Sequence, residues 1–309
     1  MDGFLLIDKP QGPSSFTAVA HVRRLYKIRK AGHTGTLDPL ASGLLIVALG
    51  QSTRLIPYLS LEPKRYIFRV RFGTQTDTLD SEGKIVYSGG HLPGYTSVMQ
   101  VCAVFGDGYE QYPPEYSAVR IDGVRAYELA RSGKQVRIAP RRIHLHEFRC
   151  VNYDVCSGSA EFTVTCSGGT YVRSLARDIA RELGTFGFAS MIRRTGAGAF
   201  SVEQAKNLDD LDGTDASILK ASDILQHYQS VVLGKNQMEL VSRGRAVVLD
   251  TNLKTYETVI AYKENGVLAA VLVRKCPGPD DEHSSVVSEK MNSGPVFHPV
   301  RVFHDETGN

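Results

Sequence analysis

The amino-acid sequence predicts an α+β fold followed by a small β-rich C-terminal domain. Up to about residue 205, strand-like apolar patterns alternate irregularly with helical ones. Beyond about residue 229, short apolar runs separated by glycine dominate instead. An Asp-rich connector lies between the two regions, so we expect a larger domain over residues 1–228 and a smaller one over residues 229–309.

Hydrophobic periodicity places the elements of the larger domain. The run LLIVAL is apolar throughout, which predicts a strand buried on both faces. The run YIFRVRFG alternates, which predicts a half-buried strand with Tyr66 on its buried side. A later helical pattern has Val172, Leu175, Ile179 and Leu183 as its buried stripe. In chain order the sequence predicts a strand at 4–8, a helix from Ser14 or Ser15 to about Lys30, strands at 44–49, 66–73 and 160–167, and a helix at 171–183.

The C-terminal region has the pattern of a small β-barrel-like module. Its core is too small to support an elaborate active site of its own, which favours a binding role. Residues 275–295 are rich in Pro, Gly, Ser and acidic residues, and we expect a long mobile loop there. The predicted strands are VVLG, RAVVL, TVIAY, VLAAVLV and, after the loop, PVRVF.

The composition is that of an ordinary soluble globular protein. The chain has 309 residues, 42% of them hydrophobic. It contains neither a signal-peptide pattern nor an apolar run of the roughly eighteen residues that span a bilayer. Its five cysteines are odd in number and form no CxxC pair, which argues against a disulfide framework and a zinc site. We therefore expect a cytoplasmic protein with reduced thiols.

The net charge of +3 is small, but the basic residues are clustered in two segments, 21–30 and 117–149. A single basic run is usually a solvated helix face. Two of them favour a phosphate-rich partner, bound in a salt-sensitive manner. The first segment contains no acidic residue and carries Arg23, Arg24, Lys27, Arg29 and Lys30.

Motifs of several enzyme classes are missing from the sequence. It has no GxxxxGK[ST] loop, GxSxG elbow, HExxH helix or GxGxxG turn, which argues against nucleotide hydrolysis, zinc proteolysis and dinucleotide redox chemistry. His33 and Asp38 are two potential metal ligands, but no third ligand has a recognisable spacing, so we predict no metal site. Catalysis without a cofactor then requires an acid, a base or a nucleophile.

Asp38, in the segment KAGHTGTLDPLASG, is the best candidate for such a group. Pro39 excludes helical backbone at Asp38, and Gly32 and Gly35 permit tight or left-handed backbone before it. We therefore expect the carboxylate on a rigid corner. An aspartate before proline is also a common turn or cap residue, and the local sequence alone favours that structural interpretation.

Five sequence blocks occur in order along the larger domain. The first two are KPQGPSS and GHTGTLDPLASGLLIVALGQSTR. They are followed by KRYIFRVRFGTQTDTLDSEG, QYPPEYSAVRIDGVRAYELARSG and CSGGTYVRSLARDIARELG. Together these blocks resemble the TruB family of bacterial tRNA pseudouridine synthases over most of residues 3–200. The C-terminal module is loosely similar to the PUA-type RNA-binding domain of that family.

The resemblance implies a pseudouridine-synthase fold, with a central mixed, mainly antiparallel sheet flanked by helices and a cleft crossed by an RNA stem-loop. It implies an isomerase without cofactors that converts uridine-55 in the T loop of tRNA to pseudouridine. In that reaction the C1′–N1 bond breaks, the base rotates and a C1′–C5 bond forms. The implied enzyme acts as a monomer on the T-arm of tRNA, with no membrane and no protein partner.

The family motifs also imply roles for individual residues. Asp38 matches the catalytic aspartate, which acts at C1′ while the uracil detaches. Arg173 matches the arginine that pairs with this aspartate. Tyr66 matches the tyrosine that stacks on the target base and helps to remove the C5 proton. His33 matches the histidine that occupies the space of the displaced base pair and holds the T loop open.

Other positions match less prominent members of the family site. Tyr171 and Ile192 align with residues that line the uracil pocket, and Asp80 aligns with an acid near the tyrosine or the substrate. Lys9 is expected to be structural or to face the RNA. Without the resemblance, Asp80 would be a turn residue, Ile192 a core residue, and Arg173 an exposed cation at a helix start that disfavours it.

The sequence departs from the family pattern at Tyr112, Ala197 and Ala199 and in the 275–295 loop. These departures bear on RNA docking and on the C-terminal domain rather than on the reaction. A tRNA-binding or RNA-chaperone module with a lost or incidental site is the alternative to an enzyme. Asp38, Arg173 and Tyr66 together favour the enzyme. A synthase of another RNA specificity is a third hypothesis, against which the T-loop-type blocks argue.

Overall fold

A computed structural model describes residues 1–121, 123–133, 136–214, 218–253, 255–274 and 294–303. Most of the predicted loop at 275–295 lies outside the described residues. The chain divides into two compact units. The larger comprises Leu5–Val47 and Leu61–Ser217, and the smaller comprises Met1–Phe4, Ala48–Ser60 and Ile218–Asn309. A domain boundary after residue 228 stays a prediction.

The N-terminal two thirds of the chain mix strands with short helices. The strands are β1 (Gly3–Lys9), β2 (Ala31–His33), β3 (Ser42–Leu49), β4 (Lys64–Phe72), β5 (Thr74–Thr76), β6 (Ile85–Ser88), β7 (Gly108–Gln111), β8 (Arg120–Ile121), β9 (Val124–Arg125), β10 (Arg141–Asp154), β11 (Ser159–Cys166), β12 (Gly187–Ala197), β13 (Phe200–Ser201) and β14 (Lys206–Asn207). The α-helices are α1 (Ser15–Leu25), α2 (Tyr95–Gln100), α3 (Ala126–Arg131) and α4 (Val172–Glu182).

One large mixed sheet organises these elements. Over the described residues it has ten strands, in the order β14-β1-β3-β12-β4-β11-β10-β7, with β13 paired to β12 and β2 to β3. The pairs β1 with β14 and β12 with β3 are parallel. From β12 through β4, β11 and β10 to β7, successive neighbours are antiparallel. This arrangement confirms the predicted α+β class and the central mixed, mainly antiparallel sheet.

The two predicted central strands have the expected burial. Residues Gly43–Leu49 of β3 are buried without interruption. Along β4, Tyr66 and the apolar residues in alternation with it are buried, whereas Arg69 and Arg71 on the other side are exposed. Because successive strand side chains point to opposite faces, this register places Tyr66 among the buried side chains of the sheet.

Helix α1 begins where the sequence predicts and ends earlier. Ser14 is its N-cap, since the Ser14 side chain accepts a hydrogen bond from the backbone of Thr17 at 3.1 Å. The helix ends at Leu25, not near Lys30, and Lys27 has a φ of 52°. A left-handed residue cannot continue a right-handed helix. The sequence marks this stop with neither glycine nor proline, so the predicted end was wrong.

Helix α4 is buried around most of its circumference. Val172, Leu175 and Ile179 are buried as predicted, but Leu183 lies just beyond the helix and is half-buried. Arg173 and Arg177 are buried as well. An exposed arginine at this helix start is therefore excluded, and the two guanidinium groups require internal partners.

The smaller unit is rich in β structure, as predicted. In the described residues five strands form a sheet in the order β15-β17-β18-β19-β16, with a core that includes Val259, Leu272 and Phe297. The elements are α5 (Ala221–Ile224), β15 (Gln229–Val232), α6 (Lys235–Ser242), β16 (Val247–Val248), β17 (Thr258–Tyr262), β18 (Leu268–Arg274) and β19 (Val296–Val302). The periodicity of the sequence did not identify helix α6. None of the helices in the described ranges has the length and apolar character needed to cross a membrane.

Candidate active site

Asp38 and Arg173 form a two-point ion pair across 135 positions of sequence. The Arg173 Nε donates to Asp38 Oδ2 at 2.8 Å, and Nη2 donates to Oδ1 at 3.0 Å. The Arg173 side chain is 5% exposed, whereas that of Asp38 is 35% exposed. The planar guanidinium matches the carboxylate in this geometry. The pair therefore fixes the orientation of Asp38 while its carboxylate remains accessible.

The other N–H groups of Arg173 also have partners. Nη1 donates to the Thr78 carbonyl at 2.9 Å, and Nη2 donates to the Tyr116 carbonyl at 3.0 Å. Asp80 Oδ2 lies 3.5 Å from Nη1. A buried charge is tolerated when it is paired and hydrogen-bonded in this way. The network brings together three of the predicted site residues, Asp38, Arg173 and Asp80.

Asp80 is itself held by a tight turn. Its Oδ1 accepts a hydrogen bond from the Thr78 hydroxyl at 2.5 Å and another from the Glu82 backbone at 3.1 Å. Leu79, between them, has a φ of 63°, which is unfavourable for leucine. The Leu79 carbonyl accepts from the backbone N–H of Ala189 at 3.0 Å. Surrounding contacts thus maintain a strained turn, and this turn supplies both the Thr78 carbonyl and the Asp80 carboxylate.

The corner that carries Asp38 is fixed on both sides. The Ser15 hydroxyl donates to the Leu37 carbonyl at 2.9 Å and accepts from the Leu37 N–H at 2.8 Å. The Lys9 ammonium, which is 0% exposed, donates to the Pro10 and Pro13 carbonyls at 2.8 Å and contacts that of Pro39 at 3.5 Å. Burial places Lys9 inside the protein as a structural residue and lowers its pKa to about 8, while the nearby Asp38 charge opposes that shift.

Neither Gly32 nor Gly35 has a positive φ, so of the two predicted alternatives, tight or left-handed backbone before Asp38, the structure excludes the left-handed one. Near this corner, the glycine whose backbone requires the absence of a side chain is Gly43, with a φ of 103°. A Cβ at Gly43 would collide with the backbone of Arg194 on the neighbouring strand. The glycine therefore allows close approach of β3 to β12 beside the Asp38 corner.

Arg194 connects Tyr66 and His33 electrostatically. Its Nε donates to the Leu44 carbonyl at 2.7 Å, and Nη2 donates to that of Gly35 at 3.1 Å. Burial raises the pKa of Tyr66, with the Arg194 charge acting in the opposite direction. Burial and then the Arg194 charge lower the pKa of His33. His33 is therefore neutral at physiological pH, and its buried Nδ1 has no hydrogen-bond partner among the described residues.

The remaining predicted residues occupy distinct places. Ile192 is buried on β12, opposite Phe68 of β4. Tyr171 is the N-cap of α4, and the Arg141 guanidinium lies 4.5 Å from the centre of its ring. The predicted RNA-backbone residues are all exposed, at the end of α1 or in the turn after it; they are Arg23, Arg24, Arg29 and Lys30. In the described ranges no group of three or more His, Cys, Asp or Glu residues is arranged to hold a metal ion.

Sequence reasoning missed several groups of the site. Two of the acceptors of Arg173 are the backbone carbonyls of Thr78 and Tyr116, which carry no residue-type signal. Ser15 is buried and binds both backbone groups of Leu37. In the sequence, however, a serine at a helix start cannot be distinguished from an N-cap. Arg194 offers one signal that could have been used, because a charged residue on the buried side of a strand requires a buried partner.

Comparisons with known proteins agree with this architecture. Residues 23–172 match the model of the TruB family pseudouridylate synthase (N terminal domain). A protein of Wolbachia pipientis subsp. Culex pipiens named tRNA pseudouridine synthase B is 44% identical over 211 residues, which are 68% of this chain and 60% of that protein. Its namesake in Borrelia garinii subsp. bavariensis is 34% identical over 270 residues, 87% of this chain and 94% of that protein.

A solved structure shows the same fold. It is an H/ACA RNP bound to a substrate RNA containing 2′-deoxyuridine, and it matches with a TM-score of 0.67 at 22% identity. The match covers 98% of this chain and 85% of that one.

Proposed function

Because the chain belongs to the TruB family of pseudouridylate synthases, we propose that it converts uridine-55 in the T loop of tRNA to pseudouridine, with Asp38 as the catalytic carboxylate. The observation that carries the proposal is the Asp38–Arg173 pair. Its arginine is enclosed, while its carboxylate is one-third exposed on a rigid corner. A carboxylate in that setting is available to a sugar carbon that develops positive charge.

The reaction is an isomerisation that needs no external electrons. The C1′–N1 bond breaks, the uracil turns, and C5 forms a new bond to C1′. The proton on C5 leaves, and N1 gains one. Because a stacked uridine hides C1′ and C5 from a protein carboxylate, the nucleotide must first leave the helix stack. His33 is proposed to occupy the space left in the T loop, where its neutral imidazole offers one donor and one acceptor.

Around the base, Tyr66 is proposed to stack on the uracil, and Tyr171 and Ile192 to line its pocket. Arg173 orients Asp38, and Asp80 completes the enclosure of Arg173. The Lys9 ammonium contacts the carbonyl of Pro39, the residue that follows Asp38. These roles divide the site into groups that meet the substrate and groups that keep the carboxylate in place.

The RNA stem is proposed to lie along the basic residues at the end of α1. Arg23, Arg24, Arg29 and Lys30 are exposed there and suit contacts with phosphates. The β-rich C-terminal region, over residues 229–309, is proposed as a PUA-like RNA-binding domain beside a catalytic domain over residues 1–228. We propose a monomer that works in the cytoplasm on the T-arm of tRNA.

The decisive experiment measures tritium release from C5-tritiated tRNA that lacks pseudouridine. We expect release by the wild type and a loss on the order of a thousandfold or more in Asp38→Asn, with tRNA affinity nearly unchanged. Asp107→Asn, at an exposed carboxylate on a surface pair with Arg142, is the matched control and should retain activity.

The same assay separates the alternatives. Turnover by Asp38→Asn at the wild-type rate would refute the assigned role of Asp38. Tight tRNA binding by the wild type without any release would identify a binding or chaperone module. Sequencing of the product locates the modified uridine, and a position outside the T loop would indicate another RNA specificity.

A further inference from the structure

Gln111, at the end of strand β7, binds the backbone of Tyr171, the N-cap residue of helix α4. Its side chain is fully buried. The Tyr171 N–H donates to Gln111 Oε1 at 2.8 Å, and Gln111 Nε2 donates to the Tyr171 carbonyl at 3.2 Å. The same carbonyl accepts the first helical bond, from the Leu175 N–H at 3.0 Å. One side-chain amide therefore satisfies the backbone donor and contacts the backbone acceptor of the residue that caps the start of the helix.

A second contact fixes which way the amide faces. The Tyr109 hydroxyl donates its single proton to Asp178 Oδ2 at 2.7 Å. It can then only accept from Gln111, and Nε2 lies 3.0 Å from it. The amide nitrogen must therefore face Tyr109, which leaves Oε1 for the Tyr171 N–H. Burial raises the pKa of Tyr109, and the Asp178 charge raises it further, so the phenol retains that proton.

This network ends at the two segments that determine where Arg173 points. Arg173 is the second residue of α4, two positions after Tyr171. Tyr116, five positions after Gln111, supplies the carbonyl that accepts from Arg173 Nη2. Gln111 therefore ties the helix that carries the guanidinium to the segment that carries one of its acceptors.

Two neighbouring bonds reinforce the same connection. Ser174 Oγ and Arg177 Nη2 donate to the Tyr112 carbonyl at 2.8 and 3.0 Å. These bonds hold the segment against the flank of α4. These two bonds come from side chains of the helix, whereas the bonds of Gln111 reach the backbone at the start of the helix.

We propose that Gln111 is a positioning residue for the reaction: its amide sets the start of α4 so that Arg173 meets Asp38 through both nitrogens. The proposal rests on the proposed function for its catalytic consequence. Gln111 acts through the backbone of Tyr171 and needs no contact with the RNA. Loss of the amide releases the helix start, and displacement of catalytic groups by about 1 Å lowers rates by up to about a hundredfold.

The test uses an isosteric replacement that can be switched by pH. In Gln111→Glu, a protonated carboxyl keeps the acceptor for the Tyr171 N–H and one of the two donations that the amide nitrogen makes, to Tyr109 and to the Tyr171 carbonyl. The ionised form would place a negative charge against the Tyr171 carbonyl and the Tyr109 oxygen, and burial raises the pKa of this carboxyl. We expect the ratio of the Gln111→Glu kcat to that of the wild type to be highest at low pH and to fall by about tenfold to a hundredfold as the pH rises from about 6 to about 9. KM for tRNA should change little.

The matched control is Gln100→Glu, which adds the same charge at an exposed glutamine. Its profile should follow that of the wild type. A ratio of Gln111→Glu kcat to wild-type kcat that stays constant from about pH 6 to about pH 9 would overturn the proposal.

A second measurement does not depend on turnover. In isotope-labelled protein, NMR follows the exchange with solvent of the Arg173 Nε proton, which the bond to Asp38 protects. We expect faster exchange in Gln111→Met and in Gln111→Glu at high pH, and wild-type protection in Gln100→Glu. Unchanged protection in the folded variants would overturn the proposal even if the wild type proved inactive on tRNA. Altered protection in the variants, together with a wild-type protein that shows no turnover, would instead refute the proposed function alone.

Discussion

Tyr66 and Arg194 are direct cross-strand partners on β4 and β12, and both side chains are buried. Burial raises the pKa of the Tyr66 phenol more strongly than the adjacent guanidinium lowers it. The phenol is therefore protonated at neutral pH. We expect Tyr66 to contribute to catalysis through its aromatic ring and its protonated hydroxyl, and not as a phenolate.

Replacement of this tyrosine separates its two contributions. Tyr66→Phe keeps the ring and should leave KM for tRNA within about threefold of the wild type, because stacking needs only the aromatic face. It should lower kcat by about a hundredfold or more, the scale of assisted proton transfer. Tyr66→Leu should lose both the stacking contribution to tRNA binding and the hydroxyl contribution to kcat. Steady-state kinetics on unmodified tRNA give the answer, and a normal kcat in Tyr66→Phe would restrict Tyr66 to stacking.

Arg173→Lys is expected to impair both stability and turnover. A lysine cannot make the two-point contact with Asp38 and also reach the Thr78 and Tyr116 carbonyls. With these buried acceptors left unpaired, we expect a loss of about 2–4 kcal/mol in the free energy of unfolding, measured in urea, and a large fall in kcat.

The matched control for that variant is Arg69→Lys, which alters an exposed pair with Glu161. Its stability should stay within about 0.5 kcal/mol of the wild type, and its kcat should not change. Equal effects of the two substitutions would show that Arg173 has no special place in the site.

The lowered pKa of Lys9 predicts that stability rises and activity falls as the pH increases above about 8. Its pKa falls from 10.5 to about 8 in the folded chain. Below about pH 8 the ammonium is charged in both states and adds no pH dependence to stability. Between about pH 8 and 10.5 the unfolded chain holds a proton that the folded chain has released, so this residue makes folding more favourable as pH rises.

Activity should decline over the same range. Deprotonation removes a donor from the three carbonyls around the Asp38 corner and removes a positive charge near that carboxylate. We expect kcat to fall as the pH passes about 8. Lys9→Met should lack both the alkaline fall in kcat and the stability gain in urea titrations. Persistence of the same alkaline limb in that variant would assign it to another group.

The basic residues at the end of α1 predict a change in salt dependence. Replacement of Arg23, Arg24, Arg29 and Lys30 by Ala should weaken tRNA binding and flatten the plot of log affinity against log salt by about 0.7–0.9 per lost phosphate contact. Replacement of Arg69 and Arg71, which are exposed on the side of β4 opposite Tyr66, is the comparison and should leave the slope unchanged. An identical slope in both variants would show that the α1 residues face away from the RNA.

The sequence was informative where one residue type determines one outcome. Alternation in β4 placed Tyr66 on the buried side, and continuous apolar character identified β3. It was uninformative where a backbone group or a rare conformation is decisive. The stop of α1 depends on a left-handed Lys27, and the turn at Asp80 depends on a left-handed Leu79, neither of which glycine or proline announces.

The candidate site divides in the same way. The ordered motifs identified Asp38, Arg173 and Asp80, and the structure places them in one network. The groups that hold this network are Ser15, Gln111 and carbonyls of the chain. Their importance arises from distances across the fold, so no spacing along the sequence could have revealed it.

The separation of 135 positions between Asp38 and Arg173 has a consequence for how the protein is made. At a synthesis rate of about 5–20 residues per second, the aspartate precedes its arginine by roughly 7 to 27 seconds. For that interval the nascent chain carries the carboxylate without its guanidinium. The pair therefore cannot form on the ribosome until helix α4 has emerged, and a chain released before that point would have the Asp38 carboxylate without the guanidinium that pairs with it.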